Sequence, residues 1–326
     1  MRAFHRVLGL AAVTGVLLAG PAMAAKVTFT LGTSNTPKML SVQALEKFAE
    51  AVGAASNGEL DMKIIAGGAL GGDKQLLQQL STNEIQMHVA GPVVVHHLVK
   101  EYQCMEAEFV YQDGEHGLRV WNGPLGDEVN QKLIEKYNVR MVGVGHRGAR
   151  HLTSKKPVAS PDDMKGMKVR ITNKLRQKVF QAFGANPVPM SIKEVYGALQ
   201  TGTVEAQENP LGTIWGTNFY EVQDYLNLTG HVWSYFVISA NNDFYEGLSA
   251  DHRKIFDTEL EKAVAWMNDA VMKDWDDARG KLTDKGMDVV EPDVAAFKKI
   301  AEPIVKQFAD ESCRPGLLDD IAKQAN

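Results

Sequence analysis

The sequence predicts an α/β protein of two domains, with a mostly parallel sheet. Three observations carry this. The chain has 326 residues, more than one hydrophobic core usually serves. Its first third alternates short apolar strands with helical spacings, as crossover units do. One apolar stripe after Ser249 continues for about seven helical turns.

The alternation begins at Val27–Gly32 (VTFTLG), a strand by its period of two. Met39, Val42, Leu45, Phe48, Ala49 and Val52 then recur at helical spacing. Leu60–Ile65 reads as a strand, 67–72 as a glycine-rich loop, Leu76, Leu77 and Leu80 as a helix, and Ile85–Ala90 as a third strand. Val139–Gly145 and Lys168–Thr172 are further strands, and Lys174–Phe183 a helix stopping at Gly184. Ser191 and Glu194 form a capping box for a helix that ends before Gly202.

The stripe is Phe256, Leu260, Val264, Met267, Val271, Trp275, Ala278 and Leu282. It predicts one helix from about Asp251 to Lys285, ended by Gly286, and roughly 50 Å long. A helix of that length outruns a small domain and should serve both. Gly280 is its weak point, at a cost of about 1 kcal/mol against alanine.

The first 24 residues read as a secretory signal peptide. Arg2 and Arg6 precede a short apolar run, and Ala22-Met23-Ala24 is a small-x-small cleavage site. The formal charge is −5 and grows more negative when those two arginines leave. An acidic surface argues against nucleic acid and against an anionic membrane face. Cys104 and Cys313 are the only cysteines. In an oxidising compartment they pair or stay free, and spacing does not decide which. Two cysteines alone make no zinc or iron–sulfur site.

"VGVGHRGAR" (142–150) contains a G-x-G-x-x-G match at Gly143, Gly145 and Gly148. A dinucleotide site needs a helix to open there. The segment from Arg150 to Pro157 has no helical periodicity, so no nucleotide is expected. Nucleophile-elbow, metalloprotease and P-loop patterns are absent. His96-His97 reads as a partly exposed surface pair. Neither catalysis nor a cofactor or metal is expected. Arg170 sits mid-strand between Val169 and Ile171, where an unpaired charge is costly. Arg150 follows the glycine-rich strand. Guanidinium grips carboxylate at two points, so the pair suggests an anion site. Internal salt bridges explain the same pattern equally well.

The stretch 167–226 resembles the periplasmic solute-binding proteins of tripartite ATP-independent periplasmic (TRAP) transporters, the DctP-like group. The resemblance is carried by GMKVR (166–170), FGANPVPM (183–190), EVYGALQTGTVEAQENP (194–210) and FYEVQ (219–223). It extends to FAEAV (48–52), GGALGGDKQLLQQL (67–80) and LSADHRKIF (248–256). The resemblance implies a two-domain periplasmic binding protein of the class II type, with hinge strands and a long helix spanning both domains. Residues 25–147 plus about 235–274 would form domain I, and 148–234 plus about 275–326 domain II.

It also implies function. The chain would be exported to the periplasm as a monomer, bind a small organic acid in the cleft, close over it, and deliver it to small and large membrane subunits. The family's carboxylate clamp falls on Arg170, a second basic contact on Arg150, and the orienting asparagine on Asn209. Trp215 and Phe236, with Trp233 and Tyr235, are candidate pocket aromatics, and Asp73 and Gln207 candidate polar contacts. The sequence also departs from the pattern. The acidic or polar contact usual after the third strand is Gly91, and the L-P-F stretch after the next strand reads Ala107-Glu108-Phe109. A sialic acid, which needs many polar contacts, fits these departures poorly. A ligand sensor and an exported carboxylate enzyme are the alternative readings. The second lacks any nucleophile or metal constellation.

Overall fold

The structure is a computed structural model describing residues 26–325, except for the side chains of residues 274–276. The expected signal peptide and the Trp275 side chain therefore lie outside the described residues.

The chain opens with β1 (Val27–Gly32), α1 (Leu40–Ala55), β2 (Leu60–Ile65), α2 (Asp73–Ser81), β3 (Met87–Ala90) and α3 (Val93–His97). Two helices follow, α4 (Gly114–Trp121) and α5 (Pro124–Tyr137), then the long strand β4 (Val139–Ser154). The middle carries β5 (Lys168–Ile171), α6 (Lys174–Ala182), β6 (Asn186–Pro189), α7 (Ile192–Gln200), β7 (Ala206–Pro210) and α8 (Leu211–Gly216). A second long strand, β8 (Tyr225–Asn241), leads to α9 (Asn242–Gly247) and α10 (Ala250–Asp284). β9 (Asp288–Val290), α11 (Val294–Ser312) and α12 (Leu317–Ala322) complete the chain.

The strands form one sheet in the order β2-β1-β3-β8-β4-β7-β5-β6, with β9 beside β8. β1 to β3 are mutually parallel, and so are β5 to β7. The centre corrects the expected mostly parallel sheet. β8 runs antiparallel to β3 and β4, and β4 antiparallel to β7. These pairings join residues far apart in sequence, and no local pattern reports them. β4 also runs well past Gly145, so the segment after the glycines is strand and opens no helix.

α10 is a single helix of 35 residues, with the Ser249 side chain accepting from the His252 amide at its start and Gly286 at φ +96 past its end. Phe256, Leu260 and Met267 bury into one core with Phe29 and Phe48. Ala278 and Leu282 bury into another with Val195, Leu199 and Ile214. The helix thus ties two cores together. The predicted capping box of α7 is present. Cys104 and Cys313 are joined in a disulfide, the pairing that the sequence left open.

The glycines of β4 have a packing reason. A Cβ on Gly143 would lie 3.2 Å from Val264, and one on Gly145 2.5 Å from Met267. Both contacts are on α10, so bare backbone lets the long helix lie against the strand. Gly148 adopts φ +95 at one of three register shifts between β4 and β8.

Candidate functional site

Strands β1, β3, β5 and β7 all point their C-terminal ends at one cleft of about 740 Å³. Ligands gather at such strand ends in α/β sheets. Ser34 and Asn35 follow β1, Gly91 follows β3, and Met190 and Ser191 follow β6. Asp73 enters from the first turn of α2, Arg147 and Arg150 from β4, Arg170 from β5 and Asn209 from β7.

Arg170 is buried, 4 % exposed, and faces the cleft. Its Nε and Nη2 donate to the Met190 carbonyl at 3.1 and 2.9 Å. No carboxylate lies within ion-pair distance of it among the described residues. Burial pushes its guanidinium down to about 10, against the attraction of Glu208. A buried cation held only by a backbone carbonyl is poised to take an anion.

Arg150 lines the same cleft, but its guanidinium is already engaged. Nε and Nη2 grip the Glu208 carboxylate, and Nη2 also donates to the Glu208 carbonyl. The internal salt bridge that the sequence left open is present: Arg150 is one half of a buried ion pair and also lines the cleft. Glu208 also receives Arg176 Nη1 at 3.4 Å and faces His231 Nε2 at 3.2 Å. Arg176 in turn donates to Glu108 at 3.0 Å. Burial would raise the Glu208 carboxyl, but Arg150 and Arg176 hold it well below the usual carboxylate range. This network is the rigid floor under the cleft. The L-P-F departure seen in the sequence now has a reason, since Glu108 belongs to that floor.

Asn209 is buried in the cleft wall. Gln207 does not reach the cleft, which corrects its reading as a pocket contact. It accepts from Asn209 Nδ2 and donates to Thr153 at 2.9 Å, so it fixes the Asn209 amide. Asp73 lines the cleft as expected and accepts from Ser34 Oγ. Burial would raise its carboxyl, but His88 and Ser34 hold it below its ordinary value. Trp215 and Phe236 line an adjoining cavity of about 200 Å³, not the main cleft. Trp215 stacks on Tyr220, and Tyr235 is core, donating to the Gly114 carbonyl.

Two cleft residues escaped the sequence reading. The His96 side chain is buried rather than surface, with Nε2 2.9 Å from Glu106. Arg147, inside the quoted glycine stretch, lines both cavities. Its Nη2 lies 3.2 Å from Thr213 Oγ1 and 3.4 Å from Asn209 Oδ1. Its Nε is buried without a hydrogen-bond partner. Burial and the nearby Arg150 charge push its guanidinium down to about 9. On a regular strand Arg147 and Arg150 would face opposite sides. The register shifts around Gly148 bring both to the cleft.

Among the described residues no group of three or more His, Cys, Asp or Glu could hold a metal, and no helix is long and apolar enough to cross a membrane.

Two α/β lobes on shared central strands, with cationic side chains converging between them, define a solute-binding protein. The chain belongs to the DctP family, the bacterial extracellular solute-binding proteins of family 7, whose pattern it matches over residues 31–312. A solute-binding protein of Roseobacter denitrificans is 33 % identical over 97 % of this chain and 98 % of its own length. The sialic acid-binding periplasmic protein SiaP of Vibrio cholerae is 28 % identical over 92 % of this chain and 94 % of its own. A TRAP periplasmic solute-binding protein from Roseobacter denitrificans with bound L-galactonate superposes with a TM-score of 0.85, at 29 % identity, covering 93 % of this chain and 99 % of that one. One from Sulfurospirillum deleyianum with bound succinate gives 0.86, at 25 % identity, covering 91 % and 99 %. DctP-family proteins are periplasmic solute-binding proteins that work with TRAP membrane components, and this chain is one of them.

Proposed function

We propose that the chain captures an organic acid anion in the periplasm, with Arg170 as the carboxylate clamp. The carrying observation is Arg170 itself, buried in the cleft wall with only the Met190 carbonyl hydrogen-bonded to its guanidinium among the described residues. Asn209, held by Gln207, orients the bound acid. Arg150 locks Glu208 and keeps the cleft floor in place. Bound galactonate and succinate in similar structures fit this class of ligand.

In this reading residues 1–24 export the chain and are removed, and the mature protein acts as a monomer without cofactor or catalysis. The lobes divide as 25–147 plus about 235–274 and 148–234 plus about 275–326. The register shift between His146 and Gly148, opposite Tyr235 and Ser234, falls on that division. Closure about β4 and β8 buries the acid, and the closed form is presented to small and large membrane subunits.

The test is a thermal-shift screen of ligand-stripped protein against organic and sugar acids. A ligand at a hundred times its Kd adds about 2.7 kcal/mol of stability, so a true ligand raises Tm clearly. Arg170→Met should abolish the shift. An unchanged shift in that variant would sink the clamp assignment.

A further inference from the structure

We infer that the cleft holds a second anion anchor, Arg147, matched to Gly91, and that the natural ligand carries two acidic groups. This rests on the carboxylate reading above and names the ligand class more narrowly.

Three observations carry it. First, Arg147 lies directly over Gly91: a Cβ there would sit 2.6 Å from Arg147 Nη1. The bare glycine leaves room for the guanidinium tip. Second, Arg147 has no carboxylate within ion-pair distance among the described residues. Its contacts are two long hydrogen bonds to neutral groups and the face of the Phe236 ring at 5.4 Å, and its Nε is buried without a hydrogen-bond partner. A guanidinium left in that state costs stability until an anion arrives. Third, the carboxylates nearby are committed. Glu208 and Glu106 contact Arg150, Arg176 and His96, and Asp73, held by Ser34, acts on Arg147 only from a distance. Arg170 and Arg147 thus both face the cleft without a contacting carboxylate, with Lys74 and Lys193 at its exposed rim. One carboxylate cannot neutralise both walls, whereas a dicarboxylate spans them.

The geometry also accounts for the departure at Gly91. An acidic contact there would collide with Arg147 and neutralise it. Glycine with arginine reverses the charge offered to the far end of the ligand, from one that suits hydroxyl or amine donors to one that suits a second acid.

The experiment is calorimetric titration of ligand-stripped protein with matched pairs: succinate against 4-hydroxybutyrate, and galactarate against galactonate. Each pair differs in one terminal group. The wild type should bind the diacid of at least one pair about ten-fold or more tightly than its monoacid partner. Arg147→Met should bring that ratio close to one, weakening the diacid more than the monoacid. Gly91→Ala changes no charge yet crowds the guanidinium, and should lower the ratio as well. Circular dichroism and Tm confirm that each variant is folded. Arg170→Met should lose both members of every pair. A wild type without diacid preference, or a preference unchanged in Arg147→Met, overturns the second anchor. Should Arg170→Met still bind both acids tightly, the carboxylate reading falls with it.

Discussion

Gly145 of β4 lies so close beneath Met267 of α10 that a Cβ on the glycine would come within 2.5 Å of the methionine Cε and 2.7 Å of Asn268 Oδ1. That amide oxygen accepts from the His146 backbone N–H, so the two elements are pinned as well as packed. Gly145→Val should cost about 1–3 kcal/mol by overpacking. Gly280, also on α10 but with nothing near its Cβ position, is the control. Gly280→Ala should stabilise by up to about 1 kcal/mol. Urea denaturation of both variants checks the pair. Equal effects would mean that the glycines of β4 are not there for close approach.

Glu208 faces two buried arginines and a histidine. Glu208→Gln leaves Arg150 and Arg176 short of a countercharge and should cost about 3–5 kcal/mol. The readout is the midpoint of chemical denaturation. A loss below about 1 kcal/mol would show that the floor of the cleft tolerates unpaired arginine, and would weaken the case that Arg147 and Arg170 await an anion.

Three histidines shape the acid response: His151, His97 and His231, the last held below its ordinary value by burial. His151 is buried on β4 and accepts from the Gly230 amide at 3.1 Å. Burial and the His231 charge push it from 6.5 down to about 3. Burial and the His96 charge push His97 down to about 4. Each is neutral in the folded chain and takes up its proton on unfolding. Their contribution is therefore fully present above pH 6.5 and is lost as pH falls from there toward 4 and then 3. Asp73, Glu106 and Glu208, held below their ordinary values, add a further loss only at lower pH. The urea midpoint should be level above pH 7 and fall below 6.5. His151→Gln should make that fall shallower. A midpoint higher at pH 4.5 than at 7.5 would contradict this assignment.

Much of this was legible in the residues, and the parts that were not share a cause. α10 could be read because its apolar positions repeat locally at steps of three and four. The capping box of α7 and the stop at Gly184 are equally local. The antiparallel centre could not be read, since β4 and β8 pair across some ninety residues. Arg170 was legible as a charge out of place in a strand. Arg150 looked the same, and only Glu208, brought alongside by β7, distinguishes an ion-paired arginine from one without a contacting carboxylate. Arg147 was hidden by the shift at Gly148, which breaks the two-residue alternation that would have placed it.

The Cys104–Cys313 bond spans 209 residues, and Arg314, next to it, reaches back to Glu128 and to the Glu101 carbonyl. Chains are made and threaded from the N-terminus. Cys104 must therefore wait for its partner until 209 further residues have appeared. Every strand and both arginine walls of the cleft precede its partner. The bond can therefore close only after every residue that lines the cleft is present.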